Sequence, residues 1–340
     1  MKTQLIDNLL LYETHTFKLN TLLIESHILK SNPLQDPYKR ALPILSPLND
    51  NHSYPVILIL AGFTSNAPYY TNSKFNEDNV VQTICQAHEK GLAPEAHYVF
   101  VDALTAWGGS QFINSKATGD YENYIVQEVI PAIKINLRCS SKVSEWCIMG
   151  GSSGGYGALH LGSKYPDIIG VIAAIAPDSF FQASLLPEFY SCAPVWEKYQ
   201  NAEKILMDLK SKKILKQKNW HTIINAIGMA ACYAPSGKGI EILFPLDHYG
   251  ELIPEVWSKI LEHDPINFLK LRTQNITKSI IYIEVGQRDN FHLQFGSRQI
   301  KRILSSSQCQ LIYNEFDGTH FDIGERRSEV WKWLTSLWRG

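Results

Sequence analysis

A short glycine-rich segment, Gly151-Ser152-Ser153-Gly154-Gly155, carries the residues of this sequence with the clearest chemistry. It matches the pattern G-x-S-x-G with Ser153 at its centre, between an apolar stretch and a stretch of helical pattern. Small neighbours let a serine occupy a tight turn between a strand and a helix, where its hydroxyl projects beyond the end of the strand. The pattern therefore predicts that Ser153 is a nucleophile. The alternative is a glycine-rich turn that only packs or binds phosphate.

A serine hydroxyl is too weak an acid to attack a carbonyl group without a base that takes its proton. His320 has the best placement for that base, because it lies in a glycine-containing loop after the last apolar stretch and before the final helix. Of the other histidines downstream of the serine, His292 is the one serious rival. We predict that His320 is the general base.

An acidic residue is needed to hold the imidazole in one tautomer and to stabilise the imidazolium ion. Asp289 follows a predicted strand by four residues and precedes His320, which gives the chain order serine, acid, histidine. Glu284 lies inside that strand and Asp317 is very near His320 in sequence, and both stay open as alternatives. Asp289 is the predicted third member of the triad.

Two backbone N–H groups are needed to bind the oxyanion that forms during acyl transfer. We predict that they belong to Gly154, after the nucleophile, and to Phe63, in the turn after an early strand. Thr64, Trp107 and Asp178 are predicted substrate contacts. The alternative for the aromatic residues is packing, and Asp178 could instead cap a turn.

These residues need a scaffold, and the sequence indicates one in which short apolar runs alternate with helical patterns. Strands are predicted at residues 56–60, 98–101, 146–149, 168–175, 280–285 and 310–316. Helices are predicted at 79–90, 121–137, 153–164 and 296–304 and after residue 325, with Pro131 bending or restarting the second one. We predict a single α/β domain over residues 1–340, with a mostly parallel sheet and a largely helical insertion at about 179–277 over the sheet.

Composition excludes several classes of function. Lys and Arg total 32 and Asp and Glu total 33, so the formal net charge of -1 gives no support for nucleic acid as a partner. No apolar run is long enough for a membrane span, and six scattered cysteines without a CxxC pair indicate reduced thiols in a cytoplasmic protein. The sequence carries no metal-ligand cluster and no P-loop, so neither a metal nor a cofactor is predicted.

In these residues and their surroundings, the chain resembles the putative-esterase family of α/β-hydrolases. This group includes esterase D, enterochelin esterases, feruloyl esterases and mycolyltransferases. The segments that carry the resemblance are residues 25–26, 32–37, 60–64, 108–115, 117–119, 151–158 and 262–265, with the loops around Asp289 and His320. The enterochelin-esterase-like branch looks most similar. The resemblance implies the α/β-hydrolase fold and hydrolysis of a small-molecule ester or thioester through an acyl-enzyme, without metal or cofactor.

Three other functions stay open on the sequence. An acyltransferase would use the same acyl-enzyme and pass the acyl group to an alcohol instead of water. A non-catalytic binding protein could keep the same fold, and peptide hydrolysis is disfavoured chiefly by the resemblance.

Overall fold

A large β-sheet organises the structure, a computed structural model that describes residues 1–7, 14–49, 51–72 and 75–339. The described residues form eleven strands, nine of which belong to this sheet. The strands are β1 (Lys2–Asp7), β2 (Phe17–Glu25), β3 (Lys39–Pro47), β4 (Val56–Leu60), β5 (His97–Val101), β6 (Asn114–Ser115), β7 (Gly119–Asp120), β8 (Trp146–Gly151), β9 (Val171–Ile175), β10 (Ile280–Gly286) and β11 (Gln310–Phe316).

The strand order across the large sheet is β1-β2-β3-β5-β4-β8-β9-β10-β11. The strands from β5 to β11 in this order run parallel to one another, while β1, β2 and β3 extend the sheet by antiparallel pairing. The prediction of a mostly parallel α/β sheet is confirmed. The three antiparallel strands before residue 56 were not predicted.

Twelve α-helices in the described part of the chain cover the sheet. They are α1 (Val80–Glu89), α2 (Tyr121–Tyr124), α3 (Ile130–Asn136), α4 (Ser153–Lys164), α5 (Phe181–Ser184), α6 (Leu186–Tyr199), α7 (Ala202–Lys210), α8 (Trp220–Tyr233), α9 (Pro254–Glu262), α10 (Pro265–Arg272), α11 (Leu293–Leu304) and α12 (Arg327–Arg339). Short 3-10 turns lie at Leu29–Ser31, Ala67–Thr71, Val143–Glu145, Ile214–Lys216 and His320–Asp322. Within those described residues, no helix combines the length and the apolar character that crossing a membrane requires.

Burial on both faces of the sheet explains the continuous apolar runs in the sequence. In β4, Val56, Leu58 and Leu60 pack into one core, and Ile57 and Ile59 pack into the core on the opposite face. Alternate side chains of a strand point to opposite faces, so a strand covered by helices on both sides needs apolar residues at every position. The predicted strands are found at these places, although β9 begins at Val171 and not at residue 168.

Pro131 lies within a helical stretch that continues from α2 to α3 without a break, since Val129 and Ile130 keep helical backbone angles. It is the second residue of α3, and a wider π-helical turn at Ile125–Val129 joins α3 to α2. Proline has no backbone N–H to donate, and the wider turn before it accommodates the missing bond within the continuous helix.

Six helices, α5 to α10, lie within the predicted insertion at about 179–277. The start of this segment is joined to the N-terminus of α10, because the Asp264 carboxylate accepts hydrogen bonds from the N–H groups of Phe180 (3.0 Å) and Phe181 (2.7 Å). Side chains of α5 and α8 line a cavity at the end of the sheet. The assignment of one domain that includes this insertion stays a prediction.

Strand register brings the ends of the parallel strands to one edge of the sheet. Leu60 pairs with Gly150, Gly151 pairs with Ile175, and Gly286 pairs with Phe316. The loops after β4, β8, β9, β10 and β11 therefore open at the same edge, where ligands bind in sheets of this type.

Candidate active site

The turn between β8 and α4 holds one residue in a strained backbone conformation. Ser152, with φ 56° and ψ -124°, lies between the last strand residue, Gly151, and the first helical residue, Ser153. Its N–H donates to the Ile175 carbonyl (2.9 Å) and its own carbonyl accepts from the Tyr156 N–H (2.9 Å). Residues with side chains rarely adopt such angles, and they do so mainly at functional sites, where the surrounding hydrogen bonds hold them.

The space around the glycines shows which serine is central to the turn. A Cβ atom at Gly150 would lie 2.4 Å from the Gly154 carbonyl carbon, and one at Gly154 would lie 2.4 Å from the Leu60 carbonyl oxygen. At Gly151 the nearest atom would be the flexible end of Ile323, at 3.1 Å. The positions that require glycine are thus 150 and 154, so the pattern G-x-S-x-G is centred on Ser152.

A continuous chain of hydrogen bonds runs from Ser152 through His320 to Asp289. The Ser152 Oγ lies 3.1 Å from His320 Nε2, and His320 Nδ1 lies 2.8 Å from Asp289 Oδ2. The imidazole also contacts the ring of Phe291 edge-on, with ring centroids 4.8 Å apart. This arrangement can move a proton between a serine hydroxyl and an imidazole whose tautomer is fixed by a carboxylate.

The prediction that Ser153 faces the histidine is wrong. Ser153 is the first residue of α4 and is only 2% exposed, and its hydroxyl donates to Asp178 Oδ2 at 2.7 Å. Two overlapping G-x-S-x-G patterns, centred one residue apart, occur in the sequence. The strained residue places its side chain at the end of the sheet, and the next residue, already helical, points into the protein.

Asp289 is held in place by the loop that follows β10. Its Oδ1 accepts hydrogen bonds from the N–H groups of Phe291 (2.9 Å) and Leu293 (3.4 Å), which leaves Oδ2 for His320. The rival carboxylates are engaged elsewhere, since Glu284 binds Arg326 and the exposed Asp317 pairs with Arg288 on the surface. The structure thus brings Asp289, and neither alternative, to His320.

Backbone N–H groups near Ser152 are available for an anionic ligand. The N–H of Thr64 donates to the Gly108 carbonyl at 2.7 Å, but within the described ranges the N–H groups of Phe63 and Ser153 donate to no acceptor of the protein. Because Ser152 occupies the turn, the residue after it is Ser153, so the predicted donor Gly154 lies one position further into α4. Gly154 instead lets the helix approach the Leu60 carbonyl closely.

Asp178, after β9, contacts both serines of the turn. Its Oδ1 accepts from Ser152 Oγ (3.1 Å), and its Oδ2 accepts from Ser153 Oγ (2.7 Å) and from the Gln111 amide (3.3 Å). Burial raises the pKa of the Asp178 carboxyl group above its usual value, although the hydrogen bond from Ser153, the proximity of His320 and the bond from Gln111 act in the opposite direction. Gln111, with a φ of 50°, and Thr64, with a φ of 63°, are further strained backbone positions in the wall of this site.

A cavity of about 840 Å³ opens beside Ser152 and His320. Among its walls are Phe63, Thr64, Tyr69, Tyr70, Gln111, Asp178, Phe181, Leu185, His221, Met229, Tyr233, Phe291 and Arg327. Thr64 and Asp178, the other two predicted substrate contacts, lie in the cavity wall. Trp107 does not: its side chain is completely buried in the core, so the prediction that it contacts a substrate is wrong.

Sequence reasoning missed Ser152 and Gln111 at this site. Ser152 could have been found from the overlapping G-x-S-x-G pattern that begins at Gly150 and ends at Gly154. Gln111 carries no comparable signal, because its strained backbone is evident only in the folded chain.

Substituting the glycines of the turn tests whether the pattern G-x-S-x-G is centred on Ser152. We expect Gly154→Ala to lower the free energy of unfolding by about 3 kcal/mol, because its Cβ would meet backbone that cannot move aside. Gly151→Ala should change the free energy by less than about 1 kcal/mol, since a flexible side chain can yield. Urea unfolding followed by circular dichroism measures both. Equal losses in the two variants would contradict the assignment of Ser152 to the turn.

Comparisons with known proteins agree with this architecture. Residues 37–322 match the family model described as putative esterase. A ferulic acid esterase structure is similar at 17% identity and a TM-score of 0.61, with 95% of this chain and 98% of that chain covered. The S-formylglutathione hydrolase from Agrobacterium tumefaciens is similar at 14% identity and a TM-score of 0.56, with 96% and 97% covered.

A further similar structure is a fluorophosphonate-binding serine hydrolase from Staphylococcus aureus, at 14% identity and a TM-score of 0.57, with 94% of this chain and 99% of that chain covered. No curated protein is similar enough in sequence to match. At such low identities, the structural similarity establishes the fold alone.

Proposed function

We propose that Ser152 is the nucleophile of this chain, which belongs to the putative esterase family and is a carboxylic-ester hydrolase. The observation that carries the proposal is the contact of the strained Ser152 with His320, whose other ring nitrogen contacts Asp289. A serine, a base and an acid in this order of contact form the unit that activates a hydroxyl group for acyl transfer.

Acylation begins with attack of Ser152 Oγ on the ester carbonyl carbon while His320 Nε2 takes the hydroxyl proton. Asp289 keeps the other proton on Nδ1, so that Nε2 is free to act as the base, and it stabilises the imidazolium ion. The Ser153 and Phe63 N–H groups would donate to the oxyanion, with the N-terminus of α4 adding favourable electrostatics. The tetrahedral intermediate then collapses, the bond to the alcohol breaks, and His320 protonates the leaving oxygen.

Hydrolysis of the acyl-enzyme uses the same groups in the second half of the cycle. His320 takes a proton from water, whose oxygen attacks the acyl carbon, and then returns a proton to Ser152 Oγ as the acid leaves. The partial exposure of Ser152, in contrast to the buried Ser153, supports its access to both ester and water. The cavity volume of about 840 Å³ is suited to a small-molecule ester.

Labelling with a fluorophosphonate tests the identity of the nucleophile. We expect one adduct per chain by intact mass, mapped to Ser152 by peptide sequencing, and a burst of p-nitrophenol from p-nitrophenyl acetate when deacylation is slow. Ser152→Ala should take up no label, whereas the matched control Ser153→Ala should still be labelled. An adduct on Ser153, or labelling of Ser152→Ala, would contradict the proposal.

A further inference from the structure

One carboxylate in the cavity wall competes with the proposed base for the same hydroxyl proton. Ser152 Oγ lies 3.1 Å from His320 Nε2 and 3.1 Å from Asp178 Oδ1. A hydroxyl group has a single proton to donate, so Ser152 can satisfy only one of these two acceptors at a time. The triad mechanism makes no use of the second contact.

Asp178 has no ion-pair partner in the described part of the chain, although the proximity of His320 lowers the pKa of its carboxyl group. Among the described residues, no Lys, Arg or His lies within ion-pair distance of its carboxylate, and the groups that donate to it are two hydroxyls and an amide, all neutral. The buried carboxylate of Glu122, by contrast, pairs with Lys164 at 2.7 Å. Burial raises the pKa of the Asp178 carboxyl group, and this carboxylate, which can accept about four hydrogen bonds, receives three. Asp178 therefore has capacity for another donor, and it faces the cavity.

Acylation would remove one of the hydrogen-bond donors of Asp178. When Ser152 Oγ becomes an ester oxygen, its proton is gone, and Asp178 Oδ1 loses the donor that it contacts in the free protein. A carboxylate oxygen left without a donor in a partly buried position is energetically costly. In the acyl-enzyme the alcohol has departed, so a replacement donor supplied by the substrate has to be on the acyl group.

We propose that Asp178 makes the site selective for acyl groups that carry a hydroxyl or ammonium group on the carbon next to the ester carbonyl. Such a donor lies three bonds from Oγ, within hydrogen-bond reach of a carboxylate oxygen that is 3.1 Å from the same atom. The contacts of Ser153 and Gln111 with Oδ2 fix the carboxylate so that Oδ1 stays on the side of Ser152. This inference rests on the proposed acyl-enzyme at Ser152.

The test compares methyl lactate with methyl 2-methoxypropionate, in which only the hydroxyl proton is replaced, by titrating the released acid at constant pH. We expect wild type to favour the lactate by at least about tenfold in kcat/KM, as for a hydrogen bond to a charged group. Asp178→Asn should reduce that ratio to about threefold or less, whatever its effect on either rate alone. The control Asp317→Asn, which removes an exposed carboxylate, should leave the ratio unchanged.

Several outcomes would overturn the inference. Equal kcat/KM for the two esters in wild type, or an unchanged preference in Asp178→Asn, shows that Asp178 does not determine the selectivity for the acyl group. A preference for 2-hydroxyethyl over 2-methoxyethyl propionate, without one for lactate, places the donor on the alcohol side and is equally contrary. If wild type turns over both esters equally and Ser152→Ala turns over neither, this inference is overturned and the proposed function is supported. Turnover that survives in Ser152→Ala, or none in wild type, counts against both proposals.

Discussion

Ser152→Ala is expected to lower kcat/KM for p-nitrophenyl acetate by at least about 10,000-fold. The reason is that the substitution removes the only side-chain oxygen in contact with His320 Nε2 among the described residues. Without it no covalent intermediate can form, and only the binding groups and oxyanion donors remain to assist direct attack by water. Steady-state release of p-nitrophenol, corrected for the uncatalysed rate, measures the effect.

Ser153→Ala is the matched control, because it removes a hydroxyl from the adjacent position. That hydroxyl contacts Asp178 and not His320. The expected loss in kcat/KM is therefore less than about tenfold, which corresponds to one hydrogen bond outside the reacting groups. Circular dichroism and thermal unfolding of both variants would establish that each folds. If Ser153→Ala were the inactive variant and Ser152→Ala the active one, the assignment of the nucleophile from the strained turn would be wrong.

Asp289→Asn is expected to lower kcat by about 10,000-fold with little change in KM. The N–H groups of Phe291 and Leu293 donate to Oδ1, so the amide oxygen of the variant would occupy that place and its NH₂ group would face His320 Nδ1. The imidazole would then have to accept at Nδ1 and carry its proton on Nε2. In that tautomer it cannot take a proton from Ser152.

The control for this substitution is Asp317→Asn, which changes an exposed carboxylate three residues before the histidine. We expect its kcat to stay within about twofold of wild type, as for surface substitutions away from the site. The same p-nitrophenyl acetate assay serves both variants. A kcat for Asp289→Asn above a tenth of wild type would contradict the role of Asp289 in fixing the tautomer of His320.

The sequence by itself determined the elements of the sheet and the order of the chemical groups along the chain. Continuous runs such as β4 indicated strands buried on both faces, because helices on each side leave no position for a polar residue. Parallel strands bring the loops at their ends to one edge. The placement of Asp289 after one strand and of His320 after the next therefore followed from local pattern, and the folded chain brings the two into contact.

The local sequence pattern did not predict the antiparallel strands β1 to β3, because apolar and polar residues are mixed along each of them. Trp107 illustrates a related limit. An aromatic residue beside two glycines can face a cavity or the core, and only the packing around it decided for the core.

Only the tertiary structure decided which of two adjacent serines faces the histidine. Both lie at the centre of a G-x-S-x-G pattern, and the choice depends on where the strand ends and the helix begins. Gly154, where an added Cβ would lie 2.4 Å from the Leu60 carbonyl oxygen, lets α4 begin close to the end of β4. The same is true of Asp178, whose contact with both serines joins residues 25 and 26 positions apart along the chain. Distances of this kind depend on how β8 and β9 pair and on the angle at which α4 leaves the sheet, which no short stretch of sequence encodes.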